Sequence, residues 1–162
     1  IMNLFDDTVV IENVILALPR FRKHAFNLVR DVFGDRVLID EAMAVLDQVG
    51  LAGKAWEKAK SLPYGERRAL EIAVALAPSP RIVFLDEPTS GLGTDATRAL
   101  ATLINKIRDK YTIVMIEHDM SFLFELANRI SVVHWGQVIA EDTPEALRTN
   151  KWVARSVLGE VA

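Results

Sequence analysis

The sequence lacks several features that would assign it to particular protein classes. None of its 162 residues is cysteine, which excludes disulfide bonds and thiolate metal sites. No apolar run reaches the roughly 18 to 20 residues that a membrane-spanning helix requires, and Asp6 and Asp7 interrupt the one early stretch that could act as a signal peptide. The formal net charge is −3, so the basic surplus typical of nucleic-acid binding is missing. We therefore expect a soluble, cytoplasmic protein without a nucleic-acid partner.

A phosphate-binding glycine loop is missing as well. Nucleotide hydrolases hold phosphate in a glycine-rich loop that ends in Gly-Lys-Ser or Gly-Lys-Thr, and these 162 residues contain neither. The stretch from Leu62 to Gly91, LPYGERRALEIAVALAPSPRIVFLDEPTSG, nevertheless combines a glycine before a helix, an apolar strand and paired carboxylates. The sequence thus predicts the residues that hydrolyse a nucleotide without the loop that binds its phosphates.

The apolar pattern changes near the middle of the chain. Up to about residue 60 it is helical, with one predicted helix that is capped by Thr8 and that Pro19 stops or kinks, and another that begins at Asp40 and ends at Gly50. After Leu62, helices alternate with short apolar runs. The predicted strands are Ile82–Leu85, Thr112–Ile116 and Ile130–Val133, and Trp135-Gly136 is a predicted hairpin turn into Gln137–Ala140.

This alternation favours an α/β fold with a parallel sheet and right-handed crossovers. The run Ile82–Leu85 is apolar at every position, which is typical of a strand covered on both faces. We expect a helical subdomain, residues 1–78, followed by an α/β core, residues 79–162.

Three ionisable side chains stand just beyond predicted strands. Asp86 and Glu87 leave the first strand, and His118 leaves the second. Ligands of open parallel sheets bind at the carboxyl ends of the strands, so these groups are expected to share one rim. In an ATPase, Asp86 would hold a magnesium ion through water, Glu87 would polarise the attacking water, and His118 would contact the γ-phosphate. The alternative is that the acids cap a loop and the imidazole is an ordinary surface group.

The segment before the next helix is a candidate anion site. It consists of Leu62, Pro63, Tyr64, Gly65 and Glu66. If Gly65 opens the helix, the free N–H groups of the first turn and the helix dipole favour a phosphate there. A single glycine before a helix is weak evidence, and it gains weight because the carboxylate-bearing strand follows the same helix.

In this order, the motifs resemble those of the ATP-binding subunit of an ABC transporter. Residues Leu62–Glu66, here called the signature segment, stand where that family has Leu-Ser-Gly-Gly-Gln. Arg81–Asp86 resembles the Walker B strand, Glu87 the catalytic glutamate, Ser90–Gly93 the D-loop, and His118 the switch histidine. The resemblance covers essentially the whole chain and implies part of a P-loop NTPase, with a RecA-like parallel sheet and a helical signature subdomain. The nucleotide contacts that it implies are Leu62, Pro63, Tyr64, Gly65, Glu66, Ser90 and Gly91.

Finer features resemble the branch that serves branched-chain amino acids, or the similar urea importers. They are the Pro-Tyr-Gly signature, the phrase IEHDM, the opening phrase from Leu4 to Asn13 and the ending Arg155–Glu160. In that family the opening phrase follows the Q-loop glutamine, and the phosphate loop (Walker A) lies further upstream. Ile1 also precedes Met2, so we expect a C-terminal fragment, about two-thirds of such a subunit, that lacks Walker A and the Q-loop.

Two segments depart from the family pattern. Pro63 and Tyr64 replace a serine and a glycine of the usual signature, so Gly65 has to supply the phosphate contact mostly through its backbone. Gly93 stands where the D-loop commonly has an aspartate, so that loop's usual cross-subunit contact is not predicted here.

The resemblance also implies cofactors, partners and a location. ATP and Mg²⁺ would be bound in a head-to-tail dimer, each nucleotide held between the phosphate loop of one ATP-binding subunit and the signature segment of the other. The helical half would pass the closing motion to transmembrane permease subunits, which meet a substrate-binding protein, and the subunit would lie on the inner face of the cell membrane. The 162 residues alone are expected to hold no ATP tightly and to be inactive.

Three other functions stay open at this point. A non-transport ABC-type ATPase tends to carry coiled-coil insertions or paired cassettes, and the sequence has no heptad run. A metal-dependent hydrolase would use Asp86, Glu87, His118 and Asp119 and would bind metal without nucleotide. An interaction module would keep the acids for structure only, so that Glu87→Gln would change no ATP turnover.

Overall fold

The structure is a computed structural model that describes residues 4–23 and 35–149. Ile1 and Met2 lie outside the described residues, as does the ending Arg155–Glu160. The expectations that rest on those residues therefore stay predictions.

The described residues form helices in the first half of the chain and alternating strands and helices in the second. The helices are α1 (Val10–Ile15), α2 (Pro19–Lys23), α3 (Arg36–Gln48), α4 (Tyr64–Leu76), α5 (Thr94–Ile107), α6 (Met120–Leu126) and α7 (Pro144–Thr149). The strands are β1 (Ile82–Asp86), β2 (Thr112–Ile116), β3 (Ile130–His134) and β4 (Gln137–Asp142). Two short 3-10 turns, Ala52–Lys54 and Ala59–Ser61, precede α4. This order confirms the predicted α/β fold.

The chain divides into two compact units, Ile1–Met115 and Ile116–Ala162. The predicted domains, residues 1–78 and 79–162, are defined by their motifs rather than by packing, and they stay a prediction.

A buried asparagine organises the segment that leads into α1. Asn13 is 3% exposed, and its Oδ1 accepts the Phe5 N–H at 2.8 Å. Its Nδ2 lies 3.0 Å from Thr8 Oγ1, 3.2 Å from the Val9 carbonyl oxygen and 3.3 Å from the Phe5 carbonyl oxygen. A buried amide needs such partners because leaving it without hydrogen bonds is costly. One side chain therefore fixes the path of the preceding loop.

The predicted cap of the first helix is wrong. Val9, not Thr8, is the N-cap, and its N–H is satisfied by Glu12 Oε2 at 3.0 Å. The threonine hydroxyl instead donates to the Phe5 carbonyl oxygen. At the other end α1 stops at Ile15, and Pro19 begins α2 because its fixed φ suits the first position of a helix.

The three longer elements of the helical half, α1, α3 and α4, pack against one another. The helix α3 begins at Arg36 rather than at Asp40, because the Asp35 carboxylate accepts the N–H groups of Val37 and Leu38 and supplies the cap earlier. The predicted end is confirmed, since Gly50 follows the helix with φ +77°. The buried residues of this packing are Val10, Ile11, Val14, Ile15, Leu38, Ala42, Leu46, Leu70, Ile72, Ala73 and Leu76.

The strands β1 and β2 form a two-stranded parallel sheet whose connection includes α5. The expectation that β1 is covered on both faces is wrong. Val83 is 3% exposed, whereas Ile82 is 49% and Phe84 is 74% exposed. Side chains alternate between the two faces of a strand, so only the face of Val83 is buried here.

In the second unit, β3 and β4 form their own antiparallel hairpin. Ile130 pairs with Asp142 and His134 with Gln137, which confirms the predicted turn at Trp135-Gly136. The residues of this turn both have positive φ, +49° for the tryptophan and +75° for the glycine, as the two-residue hairpin turn of the I′ type requires.

No helix formed by residues 4–23 or 35–149 combines the length and the apolar character needed to cross a membrane.

We predict that Asn13→Ala lowers the free energy of unfolding by about 2 kcal/mol, because it removes the hydrogen bonds of a buried amide, including the acceptor of the Phe5 N–H. Asn13→Asp should lose at least as much, since three oxygens that now accept from the amide would face a carboxylate. Urea unfolding measures both. Asn128→Ala, at an exposed asparagine, is the control, and Asn13 variants as stable as that control would contradict the role given to the amide.

Candidate functional site

The signature segment forms the entry into α4. Leu62 is buried, Pro63 is the N-cap, and Tyr64 is the first helical residue, one position before the predicted start. No side chain caps this end of the helix, because proline has no acceptor to offer. The Pro63 carbonyl oxygen accepts the N–H groups of Glu66 and Arg67, both at 3.0 Å. The first turn therefore keeps the open, positively polarised end that an anion requires.

A close approach between two helices depends on Gly65. A Cβ atom at this position would lie 2.9 Å from the Cβ of Ala96, which belongs to the first turn of α5. Real Cβ atoms do not come so close, so only glycine allows α4 to sit this near to α5. The α5 helix starts at Thr94 with Gly93 as its N-cap, so the signature segment is held beside the residues that end the D-loop segment, Ser90–Gly93.

A tyrosine joins the same two motifs. The Tyr64 hydroxyl donates to the Ser90 carbonyl oxygen at 3.2 Å. A Cβ on Gly91 would lie 3.2 Å from the tyrosine oxygen and 3.4 Å from Cε1, so the ring packs on this glycine. Gly91 also has φ +76°, which a residue with a side chain rarely adopts. The structure thus brings the predicted nucleotide contacts of the two motifs into one place.

The paired acids lie at the end of β1. Asp86 is the last residue of the strand and is exposed. Glu87 is also exposed and has φ +43°, the left-handed conformation that few non-glycine residues adopt. A tight turn follows, in which the Ser90 N–H donates to the Glu87 carbonyl oxygen at 3.1 Å. Strained backbone of this kind clusters at functional sites, which favours function over the loop-cap alternative.

The predicted switch histidine belongs to the second unit. His118 is exposed, and the buried carboxylate of Glu117 accepts its N–H at 3.1 Å and the Asp119 N–H at 3.4 Å. Asp119 in turn caps α6 by accepting the Phe122 N–H at 3.0 Å. The backbone of the histidine is therefore fixed from both sides. Glu87 and His118 lie in different units, and their predicted convergence on one phosphate stays a prediction.

Charged partners surround the start of α4, and sequence reasoning missed them. Lys54 Nζ lies 2.7 Å from Oε1 and 2.6 Å from Oε2 of Glu66. The hydrogen bond to Glu66 raises the pKa of Lys54 above its ordinary value. Arg67 donates to Asp6 Oδ1 at 2.6 Å, across 61 positions of the sequence. Neither spacing is a known motif, so no sequence signal could have found these pairs.

Metal ligation within the described ranges is limited. No three His, Asp or Glu side chains among residues 4–23 and 35–149 come together in a group that could hold a metal ion. A single exposed carboxylate such as that of Asp86 is a ligand type that magnesium takes beside phosphates, where water and phosphate oxygens complete its coordination.

Comparison with known proteins gives one family and several relatives. A family model described as ABC transporter matches residues 2–90. The branched-chain amino acid transport ATP-binding protein LivG of Escherichia coli is 37% identical, over 98% of this chain and 65% of that protein. BraF of Pseudomonas aeruginosa, which carries the same description, is 34% identical over the same shares. The chain thus spans 65% of the length of these curated relatives.

A solved structure shares the fold. It is the ADP conformation of an ATP-binding cassette of an ABC transporter, with a TM-score of 0.77 at 20% identity, over 96% of this chain and 64% of that one. At this identity the likeness concerns the fold alone, and it agrees with the predicted P-loop NTPase class.

We predict that Gly65→Ala lowers the free energy of unfolding by about 1 to 3 kcal/mol, because the added methyl group meets Ala96. Ala96→Gly alone should cost about 1 kcal/mol through helix propensity. It should also remove the clash, so that the double variant is more stable than the sum of the two losses implies. Thermal unfolding of the four proteins measures this, and strictly additive losses would show that the two positions do not meet.

Proposed function

This chain belongs to the ABC transporter family, and we propose that it is part of the ATP-hydrolysing subunit of an importer for branched-chain amino acids. The descriptions of LivG and BraF, matched along 98% of the chain, support the transport class. The observation that carries the proposal is the contact of the Tyr64 hydroxyl with the Ser90 carbonyl oxygen. It joins the signature segment to the D-loop segment, so that in the proposed head-to-tail dimer the two motifs would face a second ATP-binding subunit together.

The start of α4 is the proposed contact for a phosphate of ATP. Pro63 leaves this end without a side-chain cap, and the glycine at position 65 lets the first turn lie directly against α5. Backbone N–H groups and the helix dipole then bind the anion without a charged side chain having to reach it. Tyr64 contributes by holding Ser90 and Gly91 beside this helix end.

The acids after β1 are proposed to act on Mg²⁺ and water. Mg²⁺ would neutralise charge on the phosphates when bound, and Asp86 is the residue that would hold it, through water. Glu87 would orient the attacking water and accept its proton. Its left-handed backbone, followed by the turn to Ser90, sets the direction in which the carboxylate leaves the strand.

His118 is proposed to donate a hydrogen bond to the γ-phosphate, with Glu117 as its support. The buried Glu117 carboxylate fixes the backbone N–H groups of His118 and Asp119, so the imidazole is presented from a rigid strand end. With the backbone held in this way, only the side-chain torsions of the histidine would have to be fixed when it meets the phosphate.

The proposed assembly is the one that the family resemblance implies. In a head-to-tail dimer, the signature segment of this chain would complete the nucleotide site of a second ATP-binding subunit. The helical half would contact transmembrane permease subunits at the cytoplasmic face of the membrane, and a substrate-binding protein would act through them.

We predict that Glu87→Gln in the complete ATP-binding subunit lowers ATP turnover by about 100-fold or more, because the amide cannot accept the proton of the attacking water. Steady-state phosphate release measures this. Glu125→Gln, at an exposed glutamate of α6, is the matched control and should leave turnover unchanged. Turnover in Glu87→Gln equal to that of the control would favour a structural role for the acids and would overturn the proposed mechanism.

The 162 residues by themselves should bind no ATP at micromolar concentration, because they contain no Gly-Lys-Ser or Gly-Lys-Thr sequence to cradle its phosphates. Isothermal titration with MgATP tests this, and a titration with Mg²⁺ alone is the control. Stoichiometric binding at micromolar ATP would contradict the proposed division of the site between the signature segment and a separate phosphate loop.

A further inference from the structure

The start of α4 carries a negative charge that is unfavourable for a phosphate site. Glu66 is the third residue of the helix, one position after Gly65. Acidic side chains are favourable in the first turn of a helix because they interact with its dipole. For the same reason, a carboxylate at this place competes with any other anion that approaches the helix end.

Lys54 holds this carboxylate at both oxygens. Its ammonium group lies 2.6 Å and 2.7 Å from the two oxygens of Glu66, and the two side chains are 38% and 35% exposed. The lysine is the last residue of the 3-10 turn Ala52–Lys54, and this turn places its ammonium group beside the first turn of α4. The pair is neutral as a whole, which removes the net repulsion that an isolated carboxylate exerts on phosphate.

The other cations of the first turns already have acidic partners. Arg67 pairs with Asp6 at 2.6 Å, and Arg68 pairs with Glu71 at 2.5 Å. The acidic partners of these two arginines are thus residues other than Glu66. Among the ion pairs of the described residues, the one with Lys54 is therefore the pair that balances the charge of the signature segment.

We propose that Lys54 is a positioning residue of the nucleotide site: it neutralises Glu66 so that a phosphate of ATP can approach the N–H groups at the start of α4. The inference rests on the proposed function of the signature segment. The competing explanation is that the ion pair only ties the 3-10 turn to α4. The two explanations predict different results when Lys54 and Glu66 both lose their charge. If the ion pair only ties the 3-10 turn to α4, the double variant loses that tie as the single variant does. If Lys54 neutralises Glu66, the double variant has no carboxylate left to repel the phosphate.

The experiment follows ATP-dependent dimerisation, which needs no turnover. The complete subunit carrying Glu87→Gln is titrated with MgATP, and the ATP concentration at half-maximal dimer is read by light scattering. Lys54→Ala should raise this concentration roughly tenfold, the scale of one uncompensated charge near a protein surface. Lys54→Ala with Glu66→Gln should recover most of the loss. The increase caused by Lys54→Ala alone should shrink at high salt, where charge repulsion is screened.

Two further variants keep the test sharp. Lys54→Arg retains the charge and should dimerise nearly as the parent does, and Lys54→Gln replaces Lys54→Ala if the alanine variant does not fold. Lys58→Ala, at an exposed lysine of the same segment, is the control. Equal losses in the single and double variants, or no loss in Lys54→Ala, would overturn the inference. If the parent itself shows no ATP-dependent dimer, the proposed function fails, and the inference fails with it.

Discussion

The close approach of α4 to α5 is the constraint on which the site depends. It exists because position 65 has no Cβ, and a methyl group there would lie 2.9 Å from Ala96. Through this contact the start of α4 and the turn after β1 become neighbours. The tyrosine at position 64 then adds a hydrogen bond to Ser90 and packs on Gly91. Gly65, Ala96 and the ring of Tyr64 thus hold the signature segment beside the D-loop segment, although α4 and β1 lie between the two segments in the sequence.

A second set of contacts connects the opening segment to the signature segment. Backbone hydrogen bonds run from the Val10 N–H to the Glu57 carbonyl oxygen and from the Ala59 N–H to the Thr8 carbonyl oxygen. Asp6 adds an ion pair to the first turns of α4. The loop that Asn13 organises is therefore joined to the signature helix by peptide groups as well as by charges. The opening segment and the first turns of α4 are therefore held together directly.

Local patterns predicted much of this structure. The Walker B strand, the strand before His118 and the hairpin at Trp135-Gly136 all follow from runs of apolar residues and from turn chemistry, and the structure confirms them. Helix starts were predicted less well, because several residues can cap a helix and the choice depends on which side chain reaches the free N–H groups. Asp35 takes that place for α3 because its carboxylate accepts two of them. The faces of β1 were misjudged because an apolar sequence does not say what covers it.

The sequence by itself determined the class of the protein, the order of its motifs and the residue types that chemistry on a phosphate requires, since all of these are properties of neighbouring positions. Only the tertiary structure decided which other side chains contact the residues of these motifs. Lys54 meets Glu66 and Arg67 meets Asp6 at separations of 12 and 61 positions. Such pairs depend on how the helices pack, and packing brings together residues that no spacing along the chain relates.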